Sequence, residues 1–565
     1  MIAALVRRLW FSRVNRTSLR SGSRAALEGE ALVEPALVLL RQGQIDEAIA
    51  ALEGVLKEHH DVAEAHLAMG RILHKRQQFD DAGDSYLLAR CFKPEWWLAH
   101  FHIGLLSLDC ERPAEAAAAL KKALDLGGAR DPRVHNALGR ACLEQQQVRE
   151  AIEHFEQAIL LDPGFAEAYS NVGFALFHHM EEFETGAKHI EEALLLEPHN
   201  STARFNRSMV LQHRGQIDEA LALCNELLIA NPDFDEARAN RGLLLLSKGD
   251  FAAGWRDYEA RMKWADYRAC EQLPWPQWDG SNLTGKKIFV CAEQGLGDEI
   301  MYASCMPELL AAARTCVLEC QPKLERLLRR SFPMLNVVRK GEWQHAGMRD
   351  HPPDYKVALG SLPRFMRNKL EDFPLHAAYL RADSDRIAHW RRQLDALPGA
   401  LKVGISWRGG AATTRRSLRS IPLRAWLPLL RLPNVDFVNL QYSDCTPELA
   451  ELSAEADVEL HTWRNALDDY DETAALVSAL DLVISVQTAV VHLTGALGKD
   501  VWALIPAVPE WRYGVAGPSM PWYPTARLFR QSVHGVWDSV LSSVREELEA
   551  LLPHGARRDQ NRTPR

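Results

Sequence analysis

The chain lacks any run of about 18 uninterrupted apolar residues, so its sequence offers no membrane-spanning helix. It lacks an excess of positive charge as well: 66 Lys and Arg against 75 Asp and Glu leave a formal net charge of −9, which argues against nucleic acid as the main partner. None of its 10 cysteines falls in a CxxC pair; Cys316 and Cys320 sit in a CVLEC segment that reads as strand. Scattered, apolar-flanked cysteines suit a reducing compartment better than a disulfide framework. No long apolar core follows the basic start, which disfavours a secretory signal. What is present is ordinary for globular protein, with 47% apolar and 25% charged residues. A chain of 565 residues exceeds one core, so two to four domains are expected. Arg7, Arg8, Arg13, Arg16, Arg20 and Arg24 crowd the start around a short amphipathic patch, Leu5 to Phe11. This bias fits a disordered start, a transit peptide or a weak membrane-surface anchor.

The first half repeats itself. Ala48, Ala82 and Ala116 stand 34 residues apart, and Ala151 follows one residue late. Each of the last three has a glycine twelve positions earlier, at Gly70, Gly104 and Gly139; later units pair Gly173 with Gly186, Ser208 with Ala220 and Gly242 with Gly254. Prolines 94, 163, 198 and 232 close units where a helix must stop. Bulky residues stand four after the small one, at Leu52, Tyr86, Leu120, Phe155, Ile190 and Tyr258. The pattern predicts about seven helical hairpins, small residues allowing close approach and bulky ones filling the seam. It resembles the tetratricopeptide repeat, which stacks into a superhelix with a concave, partner-binding groove; a rigid spacer or dimerisation platform is the other use. The histidines on these helices read as packing or surface residues.

After a junction rich in tryptophan and proline (PWPQWDG, Pro274 to Gly280), the period changes to alternating strands and helices. Three loops at strand ends carry chemistry. KIFVCA runs into Glu293 to Asp298, where Gly295 and Gly297 let backbone approach a ligand at a helix N-terminus. Asp298 there either caps the helix or serves as a general base. The spacing is not GxGxxG and no Walker lysine follows, which disfavours dinucleotide and P-loop chemistry. KVGISWRGG leads to Arg408, Arg415, Arg416 and Arg419 before a helix expected near Pro422, a set suited to a diphosphate. The third loop lies in DLVISVQTAVVHLTGALGK, a buried strand (Leu482 to Val486), an elbow at Gln487 and Thr488, and a helix closed by Gly498. Thr488 suits the N-cap and Gly498 the left-handed C′ position. The stretch is either an ordinary strand–helix unit or an anion site.

The ordered series GLGD, GISWRGG, RSIPL, DLVISVQTAVVHLTGALGK, PEWRYG and PWYPTARLFRQ resembles the repeat-containing bacterial glycosyltransferases related to glycosyltransferase family 9, which includes the heptosyltransferases. The resemblance implies a GT-B fold, two Rossmann-like lobes facing a cleft. It implies a metal-independent enzyme without cofactor, taking a nucleotide sugar as substrate. It makes Asp298 the base that deprotonates the acceptor, and puts the donor phosphates at Gln487, Thr488 and Ala489 with His492 one turn on. Arg408, Arg415 and Arg419 would support the leaving diphosphate, and Trp511 either stacks on base or sugar or packs its loop. Gln487 departs from the heptosyltransferase pattern, where an acid is usual, so donor identity does not carry over.

The domains expected are a basic, disordered start (1–28), the repeat array (29–264), a junction (265–285), an acceptor-side lobe (286–399), a nucleotide-sugar-side lobe (400–553) and a disordered tail (554–565). The function expected is cytoplasmic transfer of a sugar to an acceptor hydroxyl, with the repeats recruiting a protein or glycan and membrane association at most peripheral. The alternatives are a non-catalytic interaction scaffold with a degenerate GT-B module, and an epimerase or hydrolase on the same frame.

Overall fold

The computed structural model describes residues 24–264, 267–343, 348, 351–375, 378–410, 415–456 and 458–552. The arginines before Arg24 and the tail after Leu552 lie outside the described residues. The first helix, Arg24–Arg41, begins within the stretch read as a disordered start.

The helices that follow pair in sequence as hairpins, from Arg24–Arg41 with Ile45–Glu58 to Asp235–Lys248 with Phe251–Tyr258. The reason for the glycine spacing is visible in the seam. A Cβ at Gly70 would stand 2.6 Å from the Tyr86 ring, at Gly104 2.5 Å from Leu120, and at Gly139 2.5 Å from Phe155. The small residue of each first helix thus receives the bulky residue of its partner helix. Each hairpin also turns through a left-handed residue, at Gly43, Gln77, Glu111, Gln146, Glu181, Gly215 and Gly249. Four of these are not glycine, although the left-handed region costs an L-residue about 1 kcal/mol or more.

The α/β region holds two all-parallel sheets. The first has β1 (Lys287–Cys291), β2 (Thr315–Cys320), β3 (Asn336–Arg339) and β4 (Tyr355–Ala358) in the order β3-β2-β1-β4. The second has β5 (Leu401–Ser406), β6 (Val435–Asn439), β7 (Leu482–Val486), β8 (Val501–Ile505) and β9 (Ala526–Arg530) in the order β6-β5-β7-β8-β9. β6, β7 and β8 are buried along their whole length, as apolar strands covered on both faces must be. Each sheet has one place where the strand order reverses, between β1 and β4 and between β5 and β7. Ligands of such sheets bind at the carboxyl ends of the strands at these places.

By internal contacts the chain divides into Met1–Arg207 and Ser208–Arg565, so the final repeats belong with the α/β region. Within that second unit the junction is densely packed. Trp255 is 1% exposed and its indole N–H donates to the Arg367 carbonyl at 2.9 Å. Arg261, fully buried, donates to both Glu293 oxygens at 2.8 and 3.2 Å and to Ser361 Oγ at 3.1 Å. Trp275 packs on Phe289 and Trp343, and the backbone of Pro276 and Trp278 exchanges hydrogen bonds with Lys356 of β4. One cysteine pair departs from the expected reduced set: Cys270, on the short helix Arg268–Glu271, is joined to Cys291, the last residue of β1. Eight other cysteines are free.

Candidate functional site

Two strand ends meet at the centre of the second unit. After β1, Gln294 takes a left-handed φ of 64° and the chain turns into the helix Leu296–Tyr302, with Gly295 as N-cap. The Gly295 N–H donates to Asp298 Oδ2 at 3.4 Å, the return half of a capping box whose other half a glycine N-cap, having no side chain, does not supply. After β7, Thr488 caps the helix Ala489–Ala496, its Oγ1 accepting the Val490 N–H at 3.2 Å. Gly498 ends that helix with φ +72°, and the Lys499 and Gly498 N–H groups return to the Thr494 and Gly495 carbonyls, a Schellman closure.

The N-termini of these two helices abut. A Cβ at Gly297 would lie 3.0 Å from His492 and 3.3 Å from the Ala489 Cα, so the bare glycine is what lets the loops touch. The close approach that Gly297 allows here is between protein segments. Gly295 is different, since a Cβ there would meet only the Asp298 carboxylate, 3.5 Å away. His492 is also engaged. It is buried, its Nδ1 pairs with Tyr523 Oη at 3.1 Å, and burial beside Arg512 holds its ring well below the usual imidazole range, hence neutral.

An ion chain crosses this junction. Arg512 Nη2 donates to Asp298 Oδ1 at 2.5 Å and Nη1 to Glu510 Oε2 at 2.6 Å, while Arg419 Nη1 lies 3.2 Å from Glu510 Oε1. Burial opposes charge on Glu510, yet the guanidinium groups of Arg512, Arg419 and Arg415 outweigh it and hold its carboxyl below the ordinary value. Gly409 makes room for this, a Cβ there falling 2.7 Å from the Arg419 Cβ.

Gln487 stands at the end of β7, 2% exposed, and neither its Oε1 nor its Nε2 has a hydrogen-bond partner among the described residues. Gln531, just past β9, is 5% exposed and its Nε2 is likewise unpartnered. Past β5, the backbone N–H groups of Trp407 and Arg408 donate to Gln441 Oε1 at 3.2 and 3.0 Å. A buried amide group without a partner costs about 1–3 kcal/mol, and Gln487 and Gln531 leave three such atoms past the ends of β7 and β9, whereas Gln441 is bonded through both its oxygen and its nitrogen.

Asp298, Gly297, Ala489, His492, Arg419 and Trp511 come together; Arg408 does not join them. Its guanidinium binds Ser443 Oγ at 3.1 Å and Glu448 at 3.3 Å. The helix expected near Pro422 shrinks to a 3-10 turn, Leu423–Trp426, and a four-residue helix, Leu427–Leu430, so the arginines face no helix terminus of consequence. Trp511 packs: its ring centroid is 5.4 Å from that of Trp255 at 90° and 6.2 Å from Tyr258. Sequence reasoning passed over Glu510 and Arg512, although the signal, an acid and a base flanking the tryptophan of PEWRYG, was in plain view.

Comparison with known proteins agrees with the helical half. The tetratricopeptide repeat family matches residues 35–95, 180–235 and 214–265, and a second repeat family model matches 139–179. Protein FlbA of Caulobacter vibrioides is 32% identical over 430 residues, covering 72% of this chain and 71% of FlbA. The chain belongs to the FlbA family. That alignment is longer than the repeat array, so the family relationship takes in the α/β region too. The tetratricopeptide repeat-containing protein trd-1 of Caenorhabditis elegans is 24% identical over 220 residues, 37% of this chain and 27% of its own. The solved Pseudomonas aeruginosa pilF is similar at 18% identity, covering 38% of this chain and 97% of that one with a TM-score of 0.33. Repeats of this kind generally bind protein partners. No helix among the described residues is long and apolar enough to cross a membrane.

Proposed function

We propose that the α/β region works as a GT-B glycosyltransferase module, moving a sugar from a nucleotide-sugar donor to an acceptor hydroxyl, with the repeats recruiting a protein acceptor. The observation that carries this reading is Gln487, a buried amide with both polar atoms unpartnered at the β5/β7 reversal. Ribose or sugar hydroxyls supply the donors and acceptors it lacks. The N-terminus of the helix Ala489–Ala496 beside it favours the charge that develops on a leaving diphosphate. Asp298, next to Ala489 across the Gly297 contact, takes the acceptor proton as the anomeric carbon gains positive character. Arg512 then links the two halves of the reaction, because one guanidinium touches the base and the acid that gathers Arg419 and Arg415.

The test is a panel of UDP-, GDP-, CDP- and ADP-sugars read by melting temperature and by product mass. One nucleotide class should raise the melting temperature of the wild type, since ligand binding stabilises the folded state. Gln487→Leu should lose that shift. Asp298→Ala should keep it while transfer falls about 10²-fold or more. Undiminished transfer by Asp298→Ala removes the base assigned here.

The scaffold reading draws on a specific observation too: both Asp298 oxygens are engaged, by Arg512 and by the Gly295 N–H. On that reading the ion chain only fastens two lobes. No nucleotide sugar would shift the melting temperature, and Asp298→Ala would lower it.

A further inference from the structure

The repeat array carries a cluster of donors that neither the helical seam nor the chemistry proposed above uses. In the hairpin of helices Pro132–Glu144 and Val148–Leu161, Cys142, Glu150 and His154 each present one ligand atom, and the three atoms lie within 4.8 Å of one another. Glu150 and His154 are four apart on the second helix and share a face. Cys142 comes across from the first helix, fully buried, and His135 stands two turns before it. His135 Nδ1 is 3.4 Å from His154 Nδ1, while His135 Nε2 is 3.1 Å from the Ala129 carbonyl. A carbonyl only accepts, so Nε2 carries the proton and Nδ1 turns a lone pair toward His154. Fixing a ligand ring by a bond from its other nitrogen is how metal-binding histidines are oriented.

We propose that this hairpin binds one divalent ion of the zinc class through Cys142 Sγ, Glu150 and His154, with His135 holding the His154 ring and water completing the shell. Thiolate with imidazole selects zinc-like ions over calcium or magnesium, which take oxygen donors. As the sulfur–metal bond forms, the Cys142 thiol proton leaves to solvent. Lys121 holds one Glu150 oxygen at 3.0 Å from a side chain that is 54% exposed, and Glu150 also bonds the Cys142 thiol, whose proton the ion would displace. The repeat does not demand this set. The corresponding positions one unit earlier are His100, Ser107, Glu115 and Ala119, and one unit later Tyr169, Leu176, Thr185 and His189. The bound ion would clamp the two helices of a single hairpin in the middle of the array.

The experiment strips the full-length, tag-free chain with chelator and titrates Co²⁺. Visible d–d bands with a near-ultraviolet sulfur-to-cobalt charge-transfer band should saturate at one equivalent, and Zn²⁺ should bleach both. Cys142→Ser should abolish the charge-transfer band, and His154→Ala and Glu150→Gln should each weaken binding about tenfold or more. Cys110→Ser, elsewhere in the array, should leave the titration unchanged. Circular dichroism checks each variant; if Cys142→Ser does not fold, the Glu150→Gln titration decides. The proposal is overturned if the wild type develops no charge-transfer band, if the band survives in folded Cys142→Ser, or if Glu150→Gln binds Co²⁺ as tightly as wild type.

Discussion

Gln77 is exposed and turns its hairpin at a φ of 59°, where a side chain is strained and glycine is not. Gln77→Gly should therefore raise stability by up to about 1 kcal/mol, and Gln77→Val should lower it, since branching at Cβ worsens the left-handed conformation. Melting temperatures of the two variants check this; a fall with glycine would mean that the Gln77 side chain matters more than its backbone. Glu299 gives a pH signature. It is 1% exposed, one oxygen accepts the Gln321 N–H at 3.0 Å, and the other has no partner. Burial, opposed by that hydrogen bond, pushes its carboxyl from 4.5 to about 7. The folded state thus holds a proton that the unfolded chain releases, so stability falls as pH climbs through this window and is flat above it. Glu299→Gln should gain up to about 3 kcal/mol at pH 8 and little near pH 5, measured by calorimetry at both. An equal gain at both pH values would show that charge is not the cause. Single residues with a backbone job were the most legible in the sequence: Thr488 and Gly498 do what their side chains, or lack of one, dictate locally. Glu510 and Arg512 were half legible: PEWRYG displays the acid and the base, but nothing in local spacing joins residue 512 to residue 298.

Elements were legible where period sets them. The seam of small and bulky residues follows from a 34-residue repeat, and a double-mutant cycle reads it directly. Gly139→Ala puts a Cβ 2.5 Å from the Phe155 ring and should cost about 1–3 kcal/mol. Phe155→Leu also destabilises by opening the core, but the double mutant should cost less than the sum, because the smaller side chain makes room for the methyl. Strict additivity in the melting transitions would place the strain elsewhere. Most strands were legible as apolar runs, but the four-residue β3 and β4, Asn336–Arg339 and Tyr355–Ala358, are too short and mixed to stand out. The helix expected near Pro422 was not, because its sequence, LRAWLPLLRL, has the right apolar content while Pro428 blocks propagation and the segment packs Leu423, Trp426 and Leu429 inward as turns.

For the whole molecule, the sequence showed a repeat half and an α/β half but not that the last repeats belong to the second. That boundary depends on contacts made far along the chain by Trp255 and Arg261. A fragment of residues 199–552 should therefore fold and melt cooperatively, whereas residues 267–552, stripped of Trp255, Tyr258 and Arg261, should not. Removing Arg261 leaves Glu293 buried without its main partner, a loss of about 3–5 kcal/mol. Circular dichroism of the two fragments decides, and a well-folded 267–552 would refute the shared core.

The same contacts impose a waiting time during synthesis. Trp255 needs the Arg367 carbonyl, 112 residues further on, and Arg261 needs Ser361, 100 residues on. At about 5–20 residues per second, the ribosome takes on the order of 10 s to deliver them. The early hairpins, whose contacts are local, fold as they emerge. The last hairpin leaves the tunnel with a tryptophan and a guanidinium seeking partners that do not yet exist. The nascent chain is most exposed to aggregation in that interval, and it is there that a chaperone has something to hold.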